Sequence, residues 1–337
     1  MRNFPIRSIT DLEGCAKGIS LPLANGYPGR VPLRRVVCLA MLCWLGLQSS
    51  RGEHIVVGCI GDFGSSGRTE ANVALLVKSW RPNLIITVGD NNYPRGEAET
   101  IDRNIGQYYH EFISPYQGTY GAGALTNRFF PSLGNHDWMT NGARAYLDYF
   151  TLPGNERYYT FTFGPAQFFA IDSDKAEPDG ITADSPQAQW LKKELGASTS
   201  AWHIVYFHHA PYSSGVYHGS QTGESDALRW PFKEWGAHVV LAGHDHLYER
   251  LRAEGLTYFV DGLGGDSYDK FHRPAIPESA KRFTGGFGAM RIDATETNMT
   301  FRFITSTGHV VDTHVMFKAS AAVRRAPLGT SFEVVGE

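Results

Sequence analysis

Five short stretches carry the residues that could do chemistry: Gly61-Asp62-Phe63-Gly64, Gly89-Asp90-Asn91-Asn92-Tyr93, Gly134-Asn135-His136-Asp137, Val205-Tyr206-Phe207-His208 and Gly243-His244-Asp245-His246. Together they offer carboxylates, an amide, imidazoles and a phenol. Such a mixed oxygen and nitrogen donor set suits hard or borderline cations rather than thiolate-preferring ones. Seven side chains are candidate metal ligands: Asp62, Asp90, Tyr93, Asn135, His208, His244 and His246. His136 and His218 are candidate catalytic histidines, with Asp137 beside the first.

Two cations held about 3.5–4 Å apart need an anionic bridge to offset their repulsion. Asp90 is the natural bridge, since a carboxylate has two oxygens. Asp62 would bind one ion, and Gly64, two residues on, leaves the backbone room to turn. Asn135 would give a neutral carbonyl oxygen to the other ion. His244 and His246 are two residues apart, and in an extended loop each can face a different ion. Water bound to such a pair has a lowered pKa, and the hydroxide would attack phosphorus in line, opposite the leaving alkoxide. His136 as an imidazolium would stabilise the phosphoryl oxygens or protonate the leaving group. Asp137 is expected to hydrogen-bond His136 and hold its orientation. His218, from the stretch 213–223, is a second candidate donor to substrate. The set implies hydrolysis of a small-molecule phosphate ester.

A single Gly-Asp pair is a common turn and means little. Gly-His-Asp-His after an apolar run is more specific, and all five stretches in this order set a purely structural reading aside. His209 is the alternative to its neighbour His208, and the Val205-x-x-His208 spacing favours His208. His203, His238, His272, His309 and His314 read as packing or surface residues. Tyr248, Glu249 and Arg250 either brace the fifth stretch or form an ordinary surface ion pair.

Each stretch follows a short apolar run that reads as a strand, and ligand sites of open α/β sheets lie at strand ends. Strands are predicted at 54–61, 84–88, 129–133, 202–207 and 238–241, and helices at 68–80, 97–112 and 224–235. Segments 158–163 and 167–171 read as a hairpin turning at Gly164-Pro165. Ser185-Pro186 is a helix start, a cap residue followed by Pro at the first helical position, with the helix running to about Leu195. After Glu249 the pattern becomes alternating strands at 257–260, 287–292, 299–304 and 310–315. βαβ units first and antiparallel strands last predict an α/β class with two packed mixed sheets flanked by helices. That is a four-layer α/β/β/α sandwich in one domain over 53–317, with a tail at 318–337.

The chain has 337 residues and is 42% apolar, enough for a sizeable core. Its net charge of −3 is uneven: residues 1–50 hold six Lys/Arg and two Asp/Glu, leaving 25 basic and 32 acidic residues beyond. An acidic body argues against nonspecific nucleic-acid binding. The four cysteines make no disulfide framework, and Cys59 reads as a small buried hydrophobe. Within 1–50, Arg34-Arg35 precedes an apolar run of twelve residues at 36–47 and then Gln48-Ser49-Ser50. This pattern matches a secretory signal peptide, and the run is shorter than the ~20 residues a membrane span takes. An uncleaved anchor and a buried helix are the other readings. Residues 1–33 are expected to be disordered or missing from the mature protein. The expectation is an exported protein, secreted or periplasmic, that meets a membrane only through this segment.

These motifs resemble the calcineurin-like metallophosphoesterase superfamily and, more narrowly, the purple (tartrate-resistant) acid phosphatases. The narrower resemblance rests on Tyr93 in Gly-Asp-x-x-Tyr, since a tyrosinate bound to Fe(III) gives those enzymes their colour. Gly243 to Arg250 also reads like the family's Gly-His-x-His-x-Tyr-Glu-Arg. The resemblance implies that Asp62, Tyr93 and His246 bind Fe(III), while Asn135, His208 and His244 bind a divalent ion (Fe, Zn or Mn). Asp90 bridges, and His136 and His218 face substrate. It spans about 54–317 and looks like the small single-domain type. Phosphate monoester hydrolysis is the expectation. A phosphodiesterase with the same metal core and a non-catalytic interaction module on the same fold are the alternatives.

Overall fold

The computed structural model describes residues 54–318. The sequence expectations for 1–50, and for the tail beyond Lys318, lie outside the described residues.

Strands β1 (Ile55–Ile60), β2 (Leu84–Thr87) and β3 (Phe129–Pro131) pair in parallel, with helix α1 (Arg68–Ser79) between the first two. Short helices α2 (Asn135–Trp138) and α3 (Arg144–Tyr149) follow. The hairpin β4 (Tyr159–Phe163) and β5 (Ala166–Ala170) leads to helix α4 (Pro186–Ala197) and strand β6 (Trp202–His209). One helical turn, α5 (Phe232–Trp235), precedes β7 (Val239–Gly243). The last strands are β8 (Tyr248–Ala253), β9 (Leu256–Asp261), β10 (Ser279–Phe283), β11 (Gly288–Ala294), β12 (Asn298–Thr305) and β13 (Val310–Phe317). They form a six-stranded sheet ordered β13-β12-β11-β1-β2-β3 and a seven-stranded sheet ordered β10-β8-β9-β7-β6-β5-β4.

Alternation along the strands decides how the layers stack. On β6, Ile204 and Tyr206 join a core shared with Val57 and Cys59 of β1, while Val205 and Phe207 join a second core with Leu191 and Leu195 of α4. Successive side chains point to opposite faces, so a strand covered on both sides must be apolar almost throughout. β6 is buried at every residue. The shared core lies between the sheets and the second lies under the outer helices, giving the predicted α/β/β/α layering. α4 begins as the sequence requires: Ser185 Oγ accepts the N–H of Ala188 at 3.2 Å, and Pro186 holds the first helical position. Among the described residues no helix is long and apolar enough to cross a membrane.

Three local expectations fail. The helix expected over 97–112 is broken into Ala98–Ile101, a wider π turn at Asp102–Gly106, Gln107–Tyr109 and a tight turn at His110–Phe112. The break follows the Asp102 carboxylate, which accepts Tyr116 Oη at 2.7 Å, Tyr149 Oη at 2.8 Å and the Thr119 N–H at 2.9 Å. The helix expected over 224–235 is a short turn at Asp226–Leu228 and the single turn α5, with Pro231 between them. Strands β8 and β10 were not expected, because their charged residues hide the apolar alternation. On β8 those charges are satisfied internally: Glu249 is buried against Ser214, and Arg250 reaches Asp312 on β13 at 2.7 Å.

Candidate metal centre

The loops that leave β1, β2, β3 and β7 converge on the end of β6, and together they deliver the five stretches, Val205 to His208 lying within β6 itself. Asp62, Asp90 and His244 each follow a glycine and adopt left-handed backbone angles, with φ of 56°, 53° and 72°. Non-glycine residues with positive φ are uncommon, and they cluster where a site needs the side chain re-aimed. Two glycines admit the close packing. Gly89, at φ 88°, lies where a Cβ would sit 2.5 Å from His208 Nδ1, and a Cβ on Gly134 would sit 2.3 Å from the Asp90 backbone N. The turn after β2 is locked from below. Asn91 donates its backbone N–H and its amide to Asp137, at 3.1 and 2.9 Å, and Asn104 donates to Asn92 Oδ1 at 2.9 Å and to the Tyr93 carbonyl at 2.8 Å.

All seven candidate ligands meet in one region. Tyr93 Oη lies 3.1 Å from His246 Nε2 and 3.5 Å from Asp62 Oδ1, and those two are 3.3 Å apart. His208 Nε2 lies 2.9 Å from Asn135 Oδ1, 3.1 Å from His244 Nδ1 and 3.4 Å from Asp90 Oδ2. Asp90 Oδ2 is also 2.9 Å from Tyr93 Oη, so this carboxylate touches both groups. Donors at roughly 2.0–2.1 Å from a common ion in tetrahedral geometry stand about 3.3 Å from one another. The spacing therefore fits cation binding. Second-row contacts aim the ligands: His208 Nδ1 donates to the Val88 carbonyl at 2.9 Å, and Asp62 accepts the His244 backbone N–H at 3.0 Å.

The electrostatics agree with that chemistry. The adjoining cavity, about 480 Å³, is lined by Asp90, Tyr93, Asn135, His136, His218, His244, His246, Asp266, Ser267 and Asp269, with no Lys or Arg. The buried carboxylates have only imidazoles as counter-charge. Burial opposes ionisation of Asp90, but His208 and His136 outweigh it and hold the carboxyl well below its usual range. Burial likewise works against protonation of His208 and His246, yet Asp90 lifts the first to about 10 and Asp62 the second to about 9. Burial, then the Asp90 and Asp62 charges, push the Tyr93 phenol well up. Burial and the adjacent His209 and His208 hold His244 well down, and among the described residues its Nε2 is buried with no hydrogen-bond partner. A concentrated anionic and imidazole donor set of this kind fits a metal centre.

The sequence profile of the calcineurin-like phosphoesterase family matches residues 55–248, which contain every one of these ligands. This chain belongs to the calcineurin-like phosphoesterases. It is therefore a hydrolase of phosphoric ester bonds, and curated proteins similar to it include acid phosphatases. Mouse tartrate-resistant acid phosphatase type 5 is 25% identical over 312 residues, covering 80% of this chain and 90% of that protein. The Fe(3+)-Zn(2+) purple acid phosphatase 12 of Arabidopsis thaliana is 27% identical over 238 residues, covering 65% of this chain and 49% of that protein. The purple acid phosphatase PPD1 from yellow lupin seeds superposes with a TM-score of 0.64 at 16% identity, over 79% of this chain and 54% of that one, which shows the common fold.

In this calcineurin-like phosphoesterase His136 Nδ1 donates to the Pro94 carbonyl at 2.6 Å, its ring lies 4.5 Å from that of Tyr93, and its Nε2 is 4.0 Å from Asp90. Asp137 does not orient it, contrary to the sequence expectation. Asp137 turns inward to accept the Gly134 N–H at 2.9 Å together with Asn91, as a residue in the first turn of α2 readily does. Burial and then the Asp90 charge raise Asp137 to about 6. His209 turns from the ligand group to Ser173 Oγ at 2.9 Å, which leaves His208 with the other donors. The His218 ring lies against that of His244 at 4.0 Å, tilted by 45°, and bonds Glu224 at 2.9 Å. Sequence reasoning missed Glu224, Asp266, Ser267 and Asp269. Asp269 accepts the His246 N–H at 2.8 Å, and its only sequence signal is polarity after two glycines.

Proposed function

We propose that this chain is a phosphomonoesterase of the purple acid phosphatase kind, with two metal ions in the buried donor set. Asp62, Tyr93 and His246 would hold one ion, Asn135, His208 and His244 the other, and Asp90 would serve both. The observation that carries this reading is the pair of donor groups, with spacings of 2.9–3.5 Å, that meet at Asp90 Oδ2. The phenol among the donors favours a trivalent ion beside a divalent one, Fe(III) with Fe, Zn or Mn. Bound there, the cations supply Lewis acidity, offsetting phosphoryl charge and easing deprotonation of water.

The protein's own groups supply orientation and the proton. His136 is fixed by its Nδ1 bond to Pro94, so its Nε2 is the nitrogen left facing the cavity. As an imidazolium it donates from Nε2 to the phosphoryl or leaving oxygen. His218 enters from the opposite side, lining the same cavity and a second one of about 450 Å³ that shares Asn135 and His244 with it. Trp138, Met139, Ile181 and Leu228 give that second space an apolar wall, where the organic part of an ester would rest. One domain over about 53–317 would do this work, with the apolar run at 36–47 as its export signal or anchor.

The purified protein is expected to be coloured, with a visible absorbance band that vanishes in Tyr93→Phe, and to hydrolyse a phosphate monoester faster than the matched diester. A colourless Mn or Zn protein that prefers the diester contradicts this reading.

A further inference from the structure

His218 is the less securely anchored of the two candidate catalytic histidines at the cavity. It sits on a loop between Gly215 and Gly219, and its side chain is 37% exposed. The loop backbone is tied down: Ser214 gives its N–H and its Oγ to buried Glu249, each at 2.7 Å, and the Ser220 N–H meets the Ser213 carbonyl at 2.8 Å. None of these bonds fixes the imidazole. Among the described residues its ring makes one hydrogen bond, Nδ1 to Glu224 Oε2 at 2.9 Å. The other carboxylate oxygen of Glu224 lies 3.8 Å from Nε2 of His244, the buried nitrogen that has no hydrogen-bond partner. The two ring centroids lie 4.0 Å apart with the planes tilted by 45°, and Glu224 reaches a nitrogen of each ring like a clasp.

We propose that Glu224 is a positioning residue: it fixes His218 as the Nδ1–H tautomer, aims Nε2 into the cavity and ties that histidine to the face of His244. The physical ground is general. Which imidazole nitrogen carries the proton is set by the partner of the other nitrogen, and an outer carboxylate fixes both tautomer and ring orientation. A loop imidazole without such a partner must lose rotamer freedom each time substrate binds. An ordinary exposed ion pair would contribute little. This one differs because its second oxygen faces a buried ring nitrogen at the candidate metal centre. The inference rests on the phosphatase reading only for its consequence in catalysis; the tautomer stands apart from it.

The test has two arms on the full chain. In the zinc-loaded, diamagnetic protein, long-range 1H–15N correlation of the imidazoles reads the tautomer of His218. The Nδ1–H form is expected in the native sequence and in Glu224→Gln, which keeps an acceptor oxygen, and its dominance is expected to vanish in Glu224→Ala. In steady-state kinetics on an aryl phosphate monoester, Glu224→Ala and His218→Ala should each lower kcat/KM roughly tenfold, at the low end of the effect of losing an outer-shell partner. The double variant should fall no further than the worse single one, because the two act as a unit. An Nε2–H form in the native protein, a tautomer unchanged in Glu224→Ala, or losses that multiply would overturn the assignment. A Glu224-dependent tautomer in a protein inert toward every phosphate ester would uphold the clasp and sink the phosphatase reading instead.

Discussion

His136 and Asp137 are adjacent in sequence and serve opposite sides of the same loop. His136 faces the cavity from its anchor on the Pro94 carbonyl, whereas Asp137 is buried beneath and holds Gly134 and Asn91. The consequences of replacing them should separate. His136→Ala is expected to keep metal content and melting behaviour while lowering turnover roughly 10²–10⁴-fold, as loss of a general acid does. Asp137→Asn presents an NH₂ to donors that need acceptors, and should cost about 1–3 kcal/mol in chemical denaturation and weaken metal retention. The candidate metal ligands were legible in the sequence because polar and imidazole side chains cluster just at or after apolar runs. The partners that aim them were not. Asp137 could be read only as a neighbour of His136, and Glu224, Asp266 and Asp269 are ordinary acids whose roles depend on which loop they meet.

At the scale of elements, short continuous apolar runs revealed the strands buried on both faces, such as β6 and β7, and the cap chemistry of Ser185-Pro186 revealed α4. That reading failed where charge is paired between the two sheets. β8 reads Tyr-Glu-Arg-Leu-Arg-Ala, and two of its side chains are met by Asp312 of β13, which accepts Arg250 Nε at 2.7 Å and Tyr248 Oη at 2.9 Å. Burial pushes Asp312 up, but the bonds from Arg250 and Tyr248 prevail and hold its carboxyl below the usual range. A carboxylate depressed in the folded state adds stability above its unfolded pKa, and that stability is lost as pH falls through the folded value. Asp312→Asn should therefore be less stable than the native chain at neutral pH, by about 1 kcal/mol after allowance for solvent screening, and equal to it in strong acid. Urea midpoints measured across that range check the sign. A gap that widens toward acid would contradict it.

Across the whole molecule, the candidate site exists because two sheets bring their loops to one place. Asp62, Asp90 and Asn135 follow strands of the six-stranded sheet, and His208 and His244 come from the end of strands in the seven-stranded one. The contact between the two sets is close: the Val88 carbonyl after β2 accepts His208 Nδ1 from β6, directly beside Gly89. Gly89→Ala would place a Cβ 2.5 Å from that ring nitrogen at a positive φ, so it should cost roughly 1–3 kcal/mol of overpacking and loosen metal binding on the His208 side. Sequence alone showed that five stretches share a chemistry. It did not show how tightly they close, since that depends on backbone approach and not on residue type.

The most direct test of the account is elemental analysis of the purified full chain beside Asp90→Ala, with phosphate monoester hydrolysis measured on the same samples. Two metal ions per native chain are expected, with both ions and the activity gone from the variant. Full metal content and full activity in Asp90→Ala, or hydrolysis by a native chain that holds no metal, would contradict it.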